Sequence, residues 1–305
     1  MSSLRRVLVT GGAGFIGSHA CEALVAAGHA VRVLDDFSRG SRANLAAIAG
    51  RIEIHEGSIE SPDAVARAAS GCDAVVHLAA LTSVDESLAE PERYLRVNAG
   101  GTAIVARAAE SLGCARFVFA SSSSIYGDHA APQDEALPPR PLSPYATSKV
   151  EGERLVRALG GGCDGVSLRF FNVYGPRQDP KSAYAGVIAR FLDRMRAGER
   201  VVVFGDGLQT RDFVAVGDVA RAIAFAVAAP GPLRGAAVNI GTGRGTNVVD
   251  LACAVAAACG VPPRIDHAPA RAGEVRDSSA VVERAAALIG FRATTALADG
   301  LRAMP

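Results

Sequence analysis

Tyr145 and Lys149 are the pair of residues best suited to catalysis. They lie four positions apart in the segment SPYATSK, where Ser143 can cap a helix and Pro144 suits its first position, so both side chains share one helical face. A free phenol has a pKa of about 10 and is a poor base at pH 7. Lowering that pKa to about 7 requires about 4 kcal/mol, and one cation about 5 Å away supplies about 3 kcal/mol at an effective dielectric constant of about 20. The spacing therefore predicts that Lys149 makes Tyr145 a general base.

A run of serines and a second tyrosine lie upstream. Residues 121–124 are all serine, follow the apolar run Phe117–Ala120 and lead to Tyr126. Ligands of open parallel sheets bind beyond the carboxyl ends of the strands, so the serines are expected to face the ligand crevice. Tyr126 has Ala130 four residues later rather than a cation. We therefore predict that Tyr145, and not Tyr126, is the base.

A glycine-rich turn points to a dinucleotide. The segment GGAGFIG (residues 11–17) directly follows a short apolar run and opens a helical pattern. Its glycines permit a tight turn, close approach of a pyrophosphate, and close packing of helix on strand. Asp35 ends the second predicted strand, where a carboxylate accepts hydrogen bonds from a ribose 2′-hydroxyl and repels a 2′-phosphate. This favours NAD over NADP, although Arg39 and Arg42 are two nearby cations able to hold a phosphate.

A parallel sheet is needed to bring these residues together. Runs that are apolar throughout alternate with helical patterns over the first 170 residues, which predicts a doubly wound α/β (Rossmann) sheet covered on both faces. His77 ends one such run and is expected to be structural. The predicted strands are Arg6–Thr10, Val31–Leu34, Ile52–His55, Ala74–Leu78, Arg116–Ala120 and Val166–Phe170, and the predicted helices are Phe15–Ala27, Gly101–Leu112 and Tyr145–Leu159.

The character of the sequence changes after Phe171. A turn-rich passage, NVYGPRQDP, leads into a predicted helix near Val187–Ala197 and a strand at Val201–Phe204. A strand near Val238–Ile240 is expected to return to the first sheet. We therefore predict an NAD-binding Rossmann domain over residues 1–172, rejoined by a segment near 212–241, and a second, smaller substrate-binding lobe over residues 173–305.

Composition excludes several classes of protein. The 305 residues are 49% apolar and 21% charged, which argues against disorder, and the net charge of +1 provides no field to attract nucleic acid. No apolar stretch is long enough for a bilayer span, and no signal peptide is recognisable. The six cysteines include no CxxC pair, so we expect no metal site and reduced thiols in a cytoplasmic protein.

Five motifs together resemble the extended short-chain dehydrogenase/reductase family. They are TGGAGFIG, the Ser…YxxxK pattern, HLAA (77–80), RFFNVYGPRQ (169–178) and RAGE (271–274). Over nearly the whole chain, the likeness is greatest to the NAD-dependent UDP-sugar 4-epimerases. The resemblance implies NAD as cofactor, a UDP-sugar as substrate and a homodimer formed by the helices near 101–112 and 145–159. It also implies that Ser122, four residues before Tyr126, is the catalytic serine.

The resemblance implies a mechanism and two sets of contacts. Tyr145 takes the proton of the sugar 4-hydroxyl, Lys149 also holds the nicotinamide ribose, and C4 passes through a transient ketone. The cofactor is expected to contact Gly11, Gly14, Phe15, Ile16, Asp35, Asp36, Ser38, Arg39, Gly40, Ser58, Ile59, Leu78, Ala79, Ala80, Asn98, Tyr145, Lys149 and Phe170. The substrate is expected to contact Thr82, Ser83, Ser122, Ser123, Ser124, Tyr145, Asn172, Val187, Val203, Phe204, Arg211, Arg271, Glu274 and Ser278.

Two positions bear on the reaction and the substrate. Related 4,6-dehydratases carry Asp-Glu directly after the catalytic serine or threonine, and here those places hold Ser123 and Ser124, so only oxidation and reduction at C4 remain. Ser278 stands where the family has a gate against the sugar C2 side. A small residue there implies that UDP-GlcNAc and UDP-GalNAc are accepted besides UDP-glucose and UDP-galactose.

Other interpretations stay open. Arg177 or Arg276 could serve the carboxylate of a UDP-glucuronate, the same triad could carry out net oxidation or reduction of a nucleotide sugar, and a catalytically idle NAD-binding protein is a third possibility. One departure concerns the cofactor, because Ser58 stands where the family often has an aspartate near the adenine.

Overall fold

The computed structural model describes residues 5–178, 186–270 and 275–304. Its strands are β1 (Arg6–Thr10), β2 (Ala30–Asp35), β3 (Ile52–Glu56), β4 (Ala74–His77), β5 (Arg116–Ser122), β6 (Asp164–Phe170), β7 (Asn172–Tyr174), β8 (Val201–Phe204), β9 (Thr210–Ala215), β10 (Ala236–Ile240), β11 (Gly245–Asn247), β12 (Ile265–Ala268) and β13 (Asp277–Ser278). Its α-helices are α1 (Phe15–Ala26), α2 (Pro62–Ala69), α3 (Val84–Ala89), α4 (Pro91–Tyr94), α5 (Gly101–Ser111), α6 (Pro144–Arg157), α7 (Val187–Arg196), α8 (Val216–Ala228), α9 (Val248–Cys259), α10 (Glu283–Ile289) and α11 (Leu297–Arg302). Residues Arg42–Arg51 and Ser123–Tyr126 form 3₁₀ helices, and Leu95–Gly100 forms a π-helix.

Seven parallel strands form the central sheet, in the order β10-β6-β5-β4-β1-β2-β3. This confirms the predicted doubly wound α/β fold. Strand order runs outward in both directions from β1 and β4, so their carboxyl ends border the crevice where such sheets bind ligands. The predicted return of a strand near Val238–Ile240 is confirmed, because β10 pairs with β6 at the edge of the sheet.

Both faces of the sheet are covered by apolar side chains, as the continuous apolar runs require. Along β1, Val7 and Val9 join a core formed with α1 and α8, whereas Leu8 joins a core on the opposite face with α2, α5 and α6. These three side chains are completely buried. Alternate residues of one strand therefore fix helices on both sides of it.

The helix of the SPYATSK segment begins where its capping residues predict. The Ser143 hydroxyl accepts a hydrogen bond from the Ala146 backbone N–H over 3.1 Å, and Pro144 occupies the first helical position. The side chains of Tyr145 and Lys149 consequently lie on the face of α6 that packs beside β5.

A smaller lobe follows the central sheet. It contains the four-stranded sheet of β7, β9, β11 and β13, the two-stranded sheet of β8 and β12, and the helices α7, α9 and α11, which share one apolar core. The lobe places β9 and β13 side by side, with Arg211 paired to Ser278 in the register. Among the described residues, no helix has the length and apolar character needed to span a bilayer.

Candidate functional site

Tyr145 and Lys149 lie at the carboxyl end of β5. Lys149 is 4% exposed, and its ammonium donates a hydrogen bond to the Ala120 carbonyl oxygen over 2.8 Å. Its Nζ atom is 5.7 Å from the centre of the Tyr145 ring. The helical spacing therefore places a cation beside the Tyr145 ring.

Burial moves both pKa values in the opposite direction from the predicted activation. It lowers the pKa of Lys149 to about 8, which keeps the ammonium largely protonated at neutral pH. Burial also raises the pKa of Tyr145, and a hydrogen bond with Ser122 opposes this by lowering it. Burial within the protein alone therefore opposes the predicted activation of Tyr145, and the positive nicotinamide ring of bound NAD⁺ is expected to complete the shift that Lys149 begins.

Ser122 stands at the turn that ends β5. Its hydroxyl accepts a hydrogen bond from the Ser124 backbone N–H over 3.1 Å, which caps the short 3₁₀ helix Ser123–Tyr126. The same hydroxyl lies close enough to the Tyr145 phenol to lower its pKa. The Ser124 hydroxyl is buried and has no hydrogen-bond partner within the described ranges. The structure therefore brings Ser122, Tyr145 and Lys149 together.

Tyr126 and His77 are occupied by structural contacts. The Tyr126 hydroxyl donates to Asn239 Oδ1 over 2.6 Å and accepts from Arg169 over 2.8 Å, and burial raises its pKa to about 12. His77 is 1% exposed, and burial together with the charge of Lys149 lowers its pKa to about 3. Neither side chain is poised to act as a base at neutral pH, which agrees with the expectations for both.

The glycine turn can receive a pyrophosphate. Gly11 has φ of +70°, and a Cβ atom at Gly17 would lie 2.0 Å from the Gly11 carbonyl oxygen, so these positions serve the turn and its packing. At Gly14, by contrast, a Cβ atom would approach only that oxygen, at 3.3 Å. Gly14 is the N-cap residue of α1 and provides no side-chain cap, which leaves first-turn N–H groups for an anion. The residues present therefore fit a bound dinucleotide.

Asp35 and the nearby arginines favour NAD over NADP. The Asp35 carboxylate accepts backbone hydrogen bonds from Ala13 and Phe37, each over 2.8 Å, which holds it against the glycine turn. Arg39 pairs with Glu86 over 3.0 Å, and Arg42 pairs with Glu56 over 2.8 Å. Both arginines that could have held a 2′-phosphate thus have carboxylate partners.

Several residues predicted to contact the cofactor have side chains that make hydrogen bonds or packing contacts within the protein. Asn98 is 3% exposed and bonds the backbone N–H and carbonyl of Leu81 and the hydroxyl of Ser148, so it supports the loop after β4. Ile59 is buried against Gly101. Asp36 accepts two hydrogen bonds from Ser38, and the Ser58 hydroxyl accepts one from the Glu60 backbone.

The remaining predicted cofactor contacts lie at or after the carboxyl ends of β1, β2, β4 and β6. Phe15 and Ile16 begin α1, Leu78, Ala79 and Ala80 follow β4 and are half-buried, Gly40 packs on Ala13, and Phe170 ends β6.

Predicted substrate contacts lie at the lobe and at the crevice rim. Thr82 is exposed, Asn172 and Val187 are half-buried at the starts of β7 and α7, and the guanidinium of Arg211 donates to the Thr210 carbonyl over 2.7 Å beside Ser278. Arg271 and Glu274 lie outside the described residues.

Two substrate predictions need correction. The Val203 side chain is completely buried in the core of the lobe, because alternate residues of β8 face inward, and only Phe204 is partly accessible. The Ser83 hydroxyl accepts the Glu86 backbone N–H over 3.0 Å and caps α3, so it is a structural residue. The Val203 side chain is therefore not available to a ligand, and the Ser83 hydroxyl has a structural role as the cap of α3.

Glu153 and Arg169 were not identified from the sequence. They form a buried ion pair behind the catalytic serine, with Nη2 of Arg169 2.8 Å from Oε2 of Glu153. The available signal was weak: Glu153 continues the helical face of Tyr145 and Lys149, and an acidic residue on a buried face requires a partner.

A family model matches most of the chain. The model of the NAD dependent epimerase/dehydratase family aligns with residues 7–241, which covers the central sheet and the Ser122–Tyr145–Lys149 group. The chain belongs to this family. The predicted resemblance and the prediction of NAD as cofactor are therefore confirmed. Within the described part of the chain, no cluster of three or more His, Cys, Asp or Glu side chains is arranged to hold a metal ion.

Members of the family with curated names or solved structures resemble the whole chain. A UDP-glucose 4-epimerase of Mycolicibacterium smegmatis is 40% identical and covers 97% of this chain and 96% of its own. The structure of a Thermotoga maritima UDP-glucose 4-epimerase with UDP-glucose has a TM-score of 0.90 and 37% identity, covering 98% of this chain and 96% of its own. A UDP-N-acetylglucosamine 4-epimerase of Methanobrevibacter ruminantium, in complex with UDP-N-acetylmuramic acid, has a TM-score of 0.93 and 31% identity with the same coverages.

The family also includes enzymes that catalyse a different reaction. A dTDP-glucose 4,6-dehydratase of Streptomyces niveus is 35% identical and covers 97% of this chain and 90% of its own. Global similarity therefore does not separate the two reactions, and the residues of the site must decide between them.

Proposed function

We propose that this protein is an NAD-dependent epimerase that inverts C4 of a UDP-hexose through a transient 4-keto sugar. The observation that carries the proposal is the Ser122–Tyr145–Lys149 group beside a glycine turn that fits a dinucleotide, with serines at positions 123 and 124. A carboxylate pair at those two positions would support elimination of water. Serine hydroxyls are poor acids and bases, so chemistry is confined to C4.

The chain's own residues divide the work of proton transfer. Tyr145 takes the proton of the sugar 4-hydroxyl and returns it at the end of the cycle, while Ser122 orients the 4-oxygen through the hydrogen bond it shares with the phenol. Lys149, held at the Ala120 carbonyl, stabilises the phenolate. Bound NAD⁺ supplies the hydride acceptor, and the same hydride returns to the opposite face, so net redox change is zero.

The lobe is proposed to anchor the nucleotide. Arg211 and Ser278 are neighbours on β9 and β13, which supports a role for the guanidinium at the diphosphate and for the small residue at the sugar. Arg271 and Glu274 complete the proposed UDP contacts by sequence. Tight binding of the nucleotide and weak binding of the hexose would allow the 4-keto sugar to rotate within the site.

Incubation with individual nucleotide sugars tests the proposal. UDP-glucose, UDP-GlcNAc and UDP-glucuronate are each supplied with the purified protein and NAD, and the products are followed by NMR. We expect the C4 epimer of UDP-glucose at equilibrium without accumulation of NADH. Net NADH would favour an oxidoreductase, a 4-keto-6-deoxy product would favour a dehydratase, and inversion of UDP-glucuronate alone would favour the uronate epimerase.

The width of the sugar site is tested at Ser278. Ser278→Tyr adds a ring beside Arg211. We expect this variant to reduce kcat/KM for UDP-GlcNAc by at least about tenfold relative to UDP-glucose, because the N-acetyl group needs the space that the small serine side chain leaves open. Equal effects on the two substrates would contradict a gate at this position. Ser278→Ala is the matched control and is expected to preserve the ratio.

The proposal includes a cytoplasmic homodimer, with an NAD-binding domain over residues 1–172 that is rejoined by a segment near 212–241 and a smaller lobe formed by the rest of residues 173–305. All six cysteines carry free thiols, and four of them are buried, as is common in reducing compartments. The dimer is proposed to form through α5 and α6.

A further inference from the structure

A buried ion pair joins the elements that carry the catalytic group. Glu153 lies on α6 beyond Lys149, and Arg169 lies on β6 next to Phe170. The Nε and Nη2 atoms of Arg169 donate to the two carboxylate oxygens of Glu153, each over 2.8 Å. Glu153 is 1% exposed and Arg169 is 3% exposed. This bidentate pair fixes the register of α6 against the sheet below the phenol.

Ser121 connects the ion pair to the catalytic serine. Its hydroxyl donates to Glu153 Oε1 over 2.6 Å, and the residue is buried directly before Ser122 at the end of β5. In the sheet register, Ser121 pairs with Arg169 and Ser122 pairs with Phe170. A short hydrogen bond to a carboxylate that Arg169 already holds in place is a rigid tether. It determines where the next residue, Ser122, projects.

Arg169 also makes a hydrogen bond to a residue other than Glu153. Arg169 donates through Nη1 to the Tyr126 hydroxyl over 2.8 Å, and Tyr126 closes the short helix that starts after Ser122. Both ends of the Ser122–Tyr126 turn are thereby tied to one guanidinium–carboxylate unit. Replacing a buried ion pair by apolar residues is often neutral or stabilising, so stability alone does not account for this arrangement.

We propose that Ser121, anchored by Glu153 and Arg169, is a positioning residue that holds Ser122 at the Tyr145 phenol. The expected kinetic effect rests on the proposed epimerase activity, whereas the positioning of Ser122 rests on the hydrogen bonds described above. Without the tether, the end of β5 shifts and the interaction of Ser122 with the Tyr145 phenol weakens. Binding of the UDP part of the substrate is expected to be unaffected, because its proposed contact Arg211 lies in the smaller lobe.

Ser121→Ala and Ser167→Ala form a matched pair of variants. Each removes one buried hydroxyl from adjacent strands of the same sheet, but within the described residues the Ser167 hydroxyl has no hydrogen-bond partner. With UDP-glucose we expect Ser121→Ala to lower kcat about tenfold while KM stays within about twofold, since misplacement of a catalytic group costs turnover rather than binding. Ser167→Ala is expected to match the wild type.

A second measurement does not depend on turnover. The phenol of Tyr145 is titrated by NMR of protein labelled at tyrosine Cζ, with Tyr145→Phe identifying its signal among those of the five tyrosines. Because the hydrogen bond with Ser122 favours the phenolate, a weakened bond raises the Tyr145 pKa in Ser121→Ala and leaves it unchanged in Ser167→Ala. If the wild type fails to epimerise UDP-glucose but this shift is seen, the proposed function fails and the positioning role stands.

Two results would overturn the positioning role. One is a Ser121→Ala variant with wild-type kcat and wild-type phenol titration. The other is an equal change in Ser121→Ala and Ser167→Ala, which would trace the effect to lost packing in the sheet rather than to the tether.

Discussion

Tyr145 is the residue on which the proposed chemistry depends. Tyr145→Phe removes only the phenolic oxygen and keeps the ring, so we expect kcat to fall by about 10²–10⁴-fold with little change in stability, as for loss of a general base. Tyr174→Phe is the matched control, because the Tyr174 hydroxyl is buried and, within the described residues, makes only a long hydrogen bond of 3.5 Å to the Leu297 carbonyl. Steady-state epimerisation of UDP-glucose measures both. A Tyr145→Phe variant with kcat near the wild-type value would remove Tyr145 from the mechanism.

At the scale of single residues, sequence reasoning succeeds where a local rule applies. The i, i+4 spacing and the Ser143-Pro144 start place Tyr145 beside Lys149, since helical geometry fixes that relation. It fails where burial determines the pKa of a side chain. The pKa of Tyr145 is raised because surrounding elements desolvate it, and their arrangement is not visible in the spacing of two residues.

Elements were predicted best where apolar runs are bounded by turn residues. The strand Arg6–Thr10 agrees with β1 at both ends, and β10 returns to the sheet as expected. Helix α8 was not among the helices predicted from the sequence, although its buried residues recur at helical spacing. The pairing of Glu153 with Arg169 was not predicted either, since a helix and a strand supply one partner each and no local period relates them.

His77 links several elements, and its protonation state has a measurable consequence. Its Nδ1 and Nε2 atoms lie 2.7 Å from the Thr10 hydroxyl and 2.9 Å from the Thr102 hydroxyl, which joins β4 to β1 and α5. The Thr102 hydroxyl donates to the Asn98 carbonyl, so it accepts from Nε2–H, and a neutral ring satisfies every partner. The native protein therefore excludes the second proton.

Stability is expected to fall with acid because of His77. Its pKa is about 3 in the folded protein and about 6.5 when unfolded, so between these values the unfolded chain binds one more proton and stability is lost as the pH falls below 6.5. Between pH 6.5 and pH 5 this contribution is about 2 kcal/mol. The free energy of unfolding is measured by urea denaturation at both pH values for the wild type and for His77→Gln. Between pH 6.5 and pH 5 the variant should lose less of this free energy than the wild type, by about 2 kcal/mol. Equal losses would show that His77 does not govern the dependence.

The whole molecule combines a sheet that fits NAD with a lobe that supplies Arg211 and Ser278. The lobe is reached by β7, which follows β6 directly, and the chain returns through α8 and β10 to the sheet. The two parts therefore share several crossings rather than one linker. This connectivity suits a reaction in which the nucleotide stays anchored while C4 is oxidised and reduced above the same phenol.

The outer sides of α5 and α6 are where we expect a second copy to pack. Leu155 lies half-buried on α6, and Leu288 on α10 is exposed on a part of the surface away from α5 and α6. Sedimentation velocity is expected to give a species of twice 31.2 kDa for the wild type. Leu155→Glu places a charge in the proposed interface and should shift the population to monomer, because an unpaired charge is costly to bury. Leu288→Glu should remain dimeric. A monomeric wild type, or equal dissociation of both variants, would contradict an interface at α5 and α6.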